Sequence, residues 1–376
     1  MSAATLVADK GACVSETGTA SAYENFDLKA AADEAKPATV RFAFEFPTLL
    51  EDFRRLDKIA NGAKRTSRRM GFLSIGLVLI GLLIASSAPA LHELHVSHDT
   101  HVALGYLSAG LGIVGAFIGF LGLHRTSSRN KWLRARVQTE MMCVFHFHYM
   151  SARAPEVIAA ADDPARQAAY VAARQAAYHA LKTGALATPD KLLQDIATRT
   201  DPPSADSVAE LPLQGGETLE SSAQLFAAWR KLRLEWQLGY CEAKLSHKAS
   251  GRRLSSRQTE HLMGGVGWTL LAIVVGLHLI MVAAEPLNLP RVWLEVVVIW
   301  AALIALATRA LEDGLQPKRE VERYEQYRAA ILVARERFDM AQDIGAKLEI
   351  MRSFERTSLE EMRIFMRTHA RSRFML

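Results

Sequence analysis

The chain has 376 residues, an apolar fraction of 50% and a charged fraction of 23%, which is too apolar for a disordered protein and long enough for one or two domains. Its net charge of +5 is compatible with a nucleic-acid partner. However, the Lys and Arg residues cluster beside long apolar runs, where membrane topology explains them, so we infer no nucleic-acid binding.

Four uninterrupted apolar runs dominate the sequence, and each is about 20 residues long, the length at which a helix crosses a hydrocarbon core. They cover 71–91, 102–123, 263–284 and 292–311. The sequence therefore predicts an all-α membrane protein with four transmembrane helices in two hairpins and a cytoplasmic helical bundle.

Residues 1–40 are rich in Ala, Ser, Thr, Asp and Glu, a composition that predicts a disordered tail. The segment after this tail has apolar residues at helical spacing and predicts a short amphipathic helix before the first span. Its apolar residues are Leu49, Leu50, Phe53 and Leu56. Its C-terminal side is basic and holds Arg54, Arg55, Lys58, Lys64, Arg65, Arg68 and Arg69.

Basic residues flank the spans on one side only, because the turn 92–101 has no Lys or Arg and the turn 285–291 has a single Arg. Basic flanks stay in the cytoplasm. The other flanks hold Arg125, Arg129, Lys131, Arg134, Arg136, Lys248, Arg252, Arg253, Arg257, Lys318, Arg319 and Arg323. We therefore predict a multi-pass protein of the bacterial cytoplasmic (inner) membrane, with both termini and the segment 124–262 in the cytoplasm.

The order of amphipathic helix, basic patch, span, outer turn, span and basic helix occurs twice, and both copies have the same orientation. This pattern predicts a parallel repeat of a two-span unit. The predicted domains are a tail 1–40, a first unit 41–150, a helical insertion with its linker 151–218, a second unit 219–340 and a C-terminal helix 341–376.

Capping signals place two helices in the insertion. Asp163 with Pro164 begins an Ala-rich helix that Gly184 ends, and Thr188 with Pro189 begins a second. Residues 201–216 predict a linker.

Three apolar stripes at spacings of three and four residues predict that the cytoplasmic helices pack together. The first stripe is Leu225, Trp229, Leu232, Trp236, Tyr240 and Ala243; the second is Val321, Tyr324, Tyr327, Ile331 and Phe338; the third is Leu348, Met351, Leu359, Met362 and Met366.

Glycines are frequent inside the spans. Gly110, Gly112 and Gly115 spell a dinucleotide-binding pattern, but they lie in an apolar span without a preceding strand, so we reject that match. The small side chains predict close helix packing or, alternatively, the lining of an oligomeric pore. The candidates are Gly76, Gly81, Gly105, Gly112, Gly115, Gly119 and Gly276.

Ionisable residues in and near the spans are the next candidates. His92, His95, His98 and His101 fill the first outer turn, where they could bind a metal, respond to external pH or simply form a polar turn. His278 and Glu295 lie within spans, where ionisable groups often mark function. The alternatives are a structural hydrogen bond for His278 and an ion pair of Glu295 with Arg291, one helical turn away.

Arg166, Tyr170, Arg174 and Tyr178 lie along one side of the first insertion helix. Such a set could stack a base and hold a phosphate, although a solvated or inter-subunit face is the commoner role. The sequence has no nucleophile elbow, phosphate loop or zinc-protease motif, so we expect no enzyme activity and no cofactor.

Three segments that border the spans carry a family resemblance. They are 130–136 (Asn130-Lys-Trp-Leu-Arg-Ala-Arg136), 229–240 (Trp229-Arg-Lys-Leu-Arg-Leu-Glu-Trp-Gln-Leu-Gly-Tyr240) and 347–376, with Glu355-Arg-Thr-Ser-Leu-Glu-Glu361 and His369-Ala-Arg-Ser-Arg-Phe374. Here the chain resembles the SLATT family, bacterial two-span effectors associated with nucleotide-messenger synthases and SLOG sensor domains. This chain has four predicted spans where the family has two.

The resemblance implies a membrane-permeabilising effector of an anti-phage or conflict system, triggered by a partner sensor protein or a nucleotide messenger. Pore-facing polar residues are scarce, so we expect the lipid-embedded chain to form a homo-oligomer. Two alternatives stay open at this point: a non-conducting membrane scaffold for cytoplasmic partners, and metal or proton transport through the His-rich turn.

Overall fold

The computed structural model describes residues 39–123, 128–198, 212, 219–247, 254–284 and 291–371. Within these ranges every regular element is helical, as the apolar periodicity predicts. The predicted tail, except for its last two residues, most of the linker 201–216 and the basic residues Arg125, Lys248, Arg252 and Arg253 lie outside the described residues.

The described helices fall into a membrane group and a bundle group. The first group is α2 (Pro47–Ser86), α3 (Ala88–Glu93), α4 (His98–Leu123), α11 (Ser256–Ala284) and α12 (Arg291–Leu315). The second is α1 (Arg41–Phe44), α5 (Ser128–Ala152), α6 (Ala154–Ala159), α7 (Pro164–Thr183), α8 (Pro189–Thr198), α9 (Leu219–Trp229), α10 (Trp236–Leu245), α13 (Pro317–Met340) and α14 (Ile344–Arg371).

Four of these helices, α2, α4, α11 and α12, are long and apolar enough to cross a membrane. The sequence predicts a separate amphipathic helix before the first span, but α2 is one helix of 40 residues that includes both. No proline follows Pro47 within it, so nothing in the sequence interrupts its hydrogen-bond ladder. At ~1.5 Å per residue α2 is about 60 Å long and extends from the bundle through the first span.

Glycine and serine join α2 to α4. The Ser74 hydroxyl donates to the Gly115 carbonyl and the Ser108 hydroxyl donates to the Gly81 carbonyl, each at 2.8 Å. A Cβ added at Gly81 would lie 2.9 Å from the Ser108 carbonyl oxygen, and one at Gly119 would lie 2.8 Å from the Ser74 hydroxyl. Gly81, Gly115 and Gly119 therefore lie where α2 and α4 approach each other closely.

The pair α11 and α12 packs differently. A Cβ at Gly276 would meet nothing within 4 Å, and the same holds for Gly76, Gly105 and Gly112 in the first pair. Helix α12 also packs on α2, where the Trp300 indole donates to the Leu83 carbonyl at 3.2 Å. The close glycine contact of the first hairpin thus has no counterpart at Gly276, and a duplicated two-span unit stays a prediction.

The connection from α12 into the bundle is broken at a single residue. Gln316 adopts a left-handed conformation with φ 49 and ψ 48, and Pro317 then opens α13. A non-glycine residue in this region is uncommon, and proline at the first helical position is typical. The fourth span and α13 are therefore two helices, in contrast to the single α2.

The bundle has two apolar cores, and the second and third predicted stripes are buried in them. The first core surrounds Trp229 and includes Phe147, Met150, Leu225, Ile331, Met351 and Phe354. The second includes Leu49, Phe53, Val137, Met142, Ile196, Leu359, Met362 and Met366. The first half of α2 thus packs in the same core as α5, α8 and α14.

The first predicted stripe is only half correct because a π-helical segment, Arg230–Glu235, separates α9 from α10. Leu225, Trp229 and Leu232 are buried as predicted, but Trp236 and Tyr240 are half-buried and Ala243 is exposed. A π turn contains an extra residue. The buried stripe consequently steps by five residues and continues through Leu234, Leu238 and Cys241.

The predicted ends of the insertion helices are confirmed. The Asp163 carboxylate accepts hydrogen bonds from the backbone N–H groups of Ala165 and Arg166, Pro164 is the first helical residue and Gly184 ends α7. The second helix, α8, begins at Pro189 as predicted.

Gly115→Ala tests the contact between α2 and α4. The added methyl group would lie 2.8 Å from a Val78 methyl and 3.0 Å from the Ser74 carbonyl oxygen, so the helices have to separate. We expect a loss of about 1–3 kcal/mol, measured by thermal unfolding in detergent.

Gly105→Ala on the same helix is the matched control, because nothing lies within 4 Å of its added methyl group. If both variants lost the same amount of stability, the loss would come from the backbone of α4 and not from its contact with α2.

Candidate functional site

The histidines of the first outer turn do not form a compact cluster. The His92 and His101 rings are 6.4 Å apart, while His95 and His98 are exposed. Nowhere in the described ranges do three or more His, Cys, Asp or Glu residues lie where they could hold a metal ion. A response of this turn to external pH stays a prediction.

The two ionisable residues within the spans have local partners. His278 Nδ1 lies 2.9 Å from the Val274 carbonyl oxygen of its own helix. The Arg291 guanidinium donates to the Glu295 carboxylate at 3.1 Å, which confirms the predicted pair one helical turn apart.

The proposed ligand face of α7 packs against the chain itself. Tyr170, Arg174 and Tyr178 are at most 3% exposed, and only Arg166 faces solvent. The Arg174 guanidinium lies 4.4 Å from the centre of the Phe46 ring. It donates to the carbonyl oxygens of Phe42, Ala43 and Glu45. These residues therefore fix the chain that leads into α2 and leave no open face for a nucleotide.

Asp52 joins α2 to α7. Its carboxylate accepts hydrogen bonds from the Tyr178 hydroxyl at 3.0 Å and from the Lys182 ammonium group at 2.5 Å. Partial burial would raise the pKa of Asp52, but these bonds and the neighbouring Arg55 hold it below its usual value of 3.8.

Asp52→Asn tests this connection. Because the pKa of Asp52 is lowered in the folded state, its contribution to stability is complete above about pH 3.8 and is lost as the pH falls through the lower folded value. We expect the variant to be about 1 kcal/mol less stable near neutral pH, and the difference to vanish in acid.

Thermal unfolding at a series of pH values measures this difference. Asp190→Asn removes an exposed ion pair with Arg134 and is expected to change stability by less than about 0.5 kcal/mol. A difference for Asp52→Asn that did not depend on pH would contradict the assignment.

A polar cavity of about 90 Å³ lies between the two apolar cores of the bundle. It has room for several waters, since one water requires about 15 Å³. Helices α2, α5, α10, α13, α14 and the π segment line it. Its polar lining residues are Arg136, Glu140, Cys143, Arg233, Gln237, Tyr240, Arg323, Tyr324, Tyr327, Ser358 and Glu361.

The π segment delivers Arg233 to this cavity. Its guanidinium forms two hydrogen bonds to the Glu355 carboxylate, at 3.0 and 2.7 Å. Both side chains are buried, with exposed fractions of 5% and 0%. Phe147 and Phe354 cover the guanidinium, which lies 4.6 and 5.5 Å from their ring centres. The pair is therefore almost fully shielded from bulk solvent.

Two further guanidiniums line the same cavity. Arg323 donates to Glu361 and stacks on the Tyr324 ring at 4.2 Å. Arg136 lies 2.5 Å from the Glu140 carboxylate and 3.8 Å from that of Asp57.

The carboxylates keep these arginines charged. Burial by itself would lower the pKa of each guanidinium, but the nearby acidic and tyrosine groups raise the pKa of Arg136, Arg233 and Arg323 above the usual value. Burial also raises the pKa of the Cys143 thiol, so it is protonated at neutral pH. The cavity is thus an ion-pair network and offers no activated nucleophile.

A second polar cluster lies where the bundle meets the membrane helices. Glu320, in the first turn of α13, lies 3.4 Å from His369 of α14 and accepts a hydrogen bond from Ser256 of α11 at 3.1 Å. Burial would raise the pKa of Glu320, but His369, Lys64 and Arg68 hold it well below its usual value. Residues of four helices therefore meet at one buried carboxylate.

Local sequence patterns do not identify these two polar clusters. Arg233 lies between Leu232 and Leu234, and Glu361 is followed by Met362. A charged residue inside an apolar stripe is a signal for a buried ion pair, but it does not indicate the partner.

Family models, curated proteins and solved structures were compared with the chain, and none of them matches it.

Glu355→Gln tests the buried pair. It leaves the buried Arg233 guanidinium without its carboxylate, and we expect a loss of about 3–5 kcal/mol in thermal unfolding. The double variant Arg233→Met/Glu355→Gln removes the charge as well and should recover part of this loss.

Arg356→Gln, which removes an exposed ion pair with Glu349 on the same helix, is the control. A double variant that showed the sum of the two single losses would contradict a direct interaction.

Proposed function

We propose that the protein is a regulated membrane effector, an oligomeric pore or membrane-permeabilising assembly whose helical bundle keeps it closed. The four spans cross a bacterial cytoplasmic membrane as two hairpins of parallel orientation, with the bundle and both termini in the cytoplasm. The one-sided distribution of basic residues supports this orientation. The protein has no catalytic role.

The continuity of α2 carries the proposal. Phe53, in the bundle half of α2, lines the ion-pair cavity, and Gly81, in the apolar half, touches α4. An unbroken helix is stiff, so a displacement at one end moves the other. A rearrangement of the ion pairs around the cavity therefore reaches the first hairpin without an intervening hinge.

The low burial of the spans supports assembly from several copies. In the most apolar 18-residue stretch of each span, the rest of the chain buries 22% in the first and fourth spans, 6% in the second and none in the third. These exposed apolar faces provide surface for lipid and for neighbouring copies. A water-filled path requires polar groups around a closed ring, which four largely apolar helices do not supply.

The trigger in this proposal is a partner sensor protein or a nucleotide messenger, and the resemblance to the SLATT family supports that choice. The ligand face proposed for α7 is buried, so the trigger acts on another surface of the bundle. Its point of action is the contact network around the cavity, because α2, α5, α13 and α14 meet there.

A flux experiment tests the proposal. The full chain is reconstituted in liposomes, and the release of potassium is compared for the wild type and for Arg323→Gln. This substitution leaves the Glu361 carboxylate buried without its guanidinium and loosens the closed bundle. We expect faster release from Arg323→Gln than from the wild type.

Arg356→Gln has the same side-chain change at an exposed position and is expected to behave as the wild type. Circular dichroism and gel filtration establish that each variant is folded and of the same size. If folded Arg323→Gln releases no potassium and causes no depolarisation of cells, the pore proposal is wrong. If the activity of the protein in cells survived replacement of the four spans by unrelated apolar helices, a non-conducting membrane scaffold would be favoured over a pore.

A further inference from the structure

Five cations lie where the first and fourth spans enter the bundle. Arg65, Arg68 and Arg69 occupy the last polar turns of α2, and Lys318 and Arg319 lie in the first turn of α13. We name these five residues the basic cluster. It is separate from the ion-pair cavity and does not depend on whether the protein conducts ions.

The two halves of the basic cluster are neighbours. Ile75 of α2 packs with Ala310 and Leu311 of α12, just before α13 begins. Arg68 precedes Ile75 by two helical turns and so lies on the same side of α2. Its charge acts on Glu320, which follows Arg319 directly.

The basic cluster lies at the depth of lipid headgroups. At ~1.5 Å per residue, Arg65 to Arg69 are about 3–9 Å from the start of the apolar run at Gly71. The polar layer on each side of a bilayer is about 5–7 Å thick. The backbone positions of Arg68 and Arg69 therefore lie within this layer, and Arg65 lies just outside it.

Most of the basic cluster is available for an external anion. Arg65, Arg69, Lys318 and Arg319 are exposed and form no ion pair with the described part of the chain. From Lys58 to the end of α2 at Ser86 there is no Asp or Glu.

The acidic residues near the start of α13 are occupied. Glu312 accepts from Arg309 at 2.6 Å, Asp313 lies 4.0 Å from the same guanidinium, and Glu320 is paired with His369. Apart from the action of Arg68 on Glu320, none of these three carboxylates pairs with the basic cluster in the described part of the chain.

We propose that the basic cluster binds the headgroup of an anionic phospholipid at the membrane ends of α2 and α13. Guanidinium groups hold phosphate oxygens in a two-pronged geometry, and lysine adds a point charge. Basic pockets between membrane helices are suited to anionic headgroups. The bound lipid would connect α2 to α13.

The experiment uses the purified full chain in neutral detergent, titrated with phosphatidylglycerol or with phosphatidylcholine. Native mass spectrometry counts the bound lipids. The wild type is expected to prefer phosphatidylglycerol. Arg65→Gln/Arg68→Gln/Arg69→Gln should reduce this preference by at least about tenfold, because each cation near an anionic surface contributes about a fivefold change in affinity.

The matched control is Arg54→Gln/Arg55→Gln/Lys58→Gln, which removes the same charge from the same helix. These residues lie about 20–25 Å from Gly71, beyond the polar layer. The control should keep the preference for phosphatidylglycerol. An equal loss in both triple variants, or a wild type without preference, would overturn the proposal.

A second variant and a competition with inorganic phosphate complete the experiment. If the Arg triple variant fails to fold, Lys318→Gln/Arg319→Gln removes the exposed half of the basic cluster on α13 and should also weaken binding. An excess of inorganic phosphate should leave the lipid bound, because its acyl chains contribute to affinity. Displacement by phosphate would replace the lipid with a soluble anion and contradict the assignment.

Discussion

Helix α2 lies partly in the helical bundle and partly in the first apolar span, and helices of both regions pack around it. Inside lipid the backbone N–H and C=O groups must bond to each other, because no water is present. A break in the helix at the membrane boundary would leave some of these groups in need of other partners, whereas a continuous helix satisfies all of them. The bundle half of α2 is covered through Leu49 and Phe53, and the apolar half packs on α4 through Gly81 and on α12 through Ile75. One rigid element thus belongs to both parts of the molecule.

Inside the bundle, charge is buried only where it is neutralised. Arg233 and Arg323 each combine a carboxylate partner with aromatic rings above the guanidinium. Such pairs add little net stability, because desolvation offsets attraction, but breaking one of them is costly. The network therefore favours a single arrangement of α5, α13 and α14 and makes that arrangement sensitive to any change in charge.

Local patterns in the sequence predicted local structure correctly. Apolar spacing identified the packing residues of α13 and α14, run length identified the four candidate spans, and Asp163 with Pro164 fixed the start of α7. The candidate site was not predictable in this way. Arg233 and Glu355 are 122 residues apart, and no local rule connects them. The π segment was not predicted either. A prediction from spacings of three and four residues assumes a regular α-helix, and the extra residue of a π turn shifts the buried positions after it.

The two routes from bundle to membrane differ in stiffness. Along α2 the helix is continuous, whereas α12 and α13 meet at Gln316, a single residue in a left-handed conformation. Rotation about the two backbone torsions of that residue changes the direction of α13 while the fourth span keeps its tilt. The first span therefore enters the bundle as one continuous helix, whereas the fourth span enters it through a bend at Gln316, next to which Ser256 of α11 donates a hydrogen bond to Glu320.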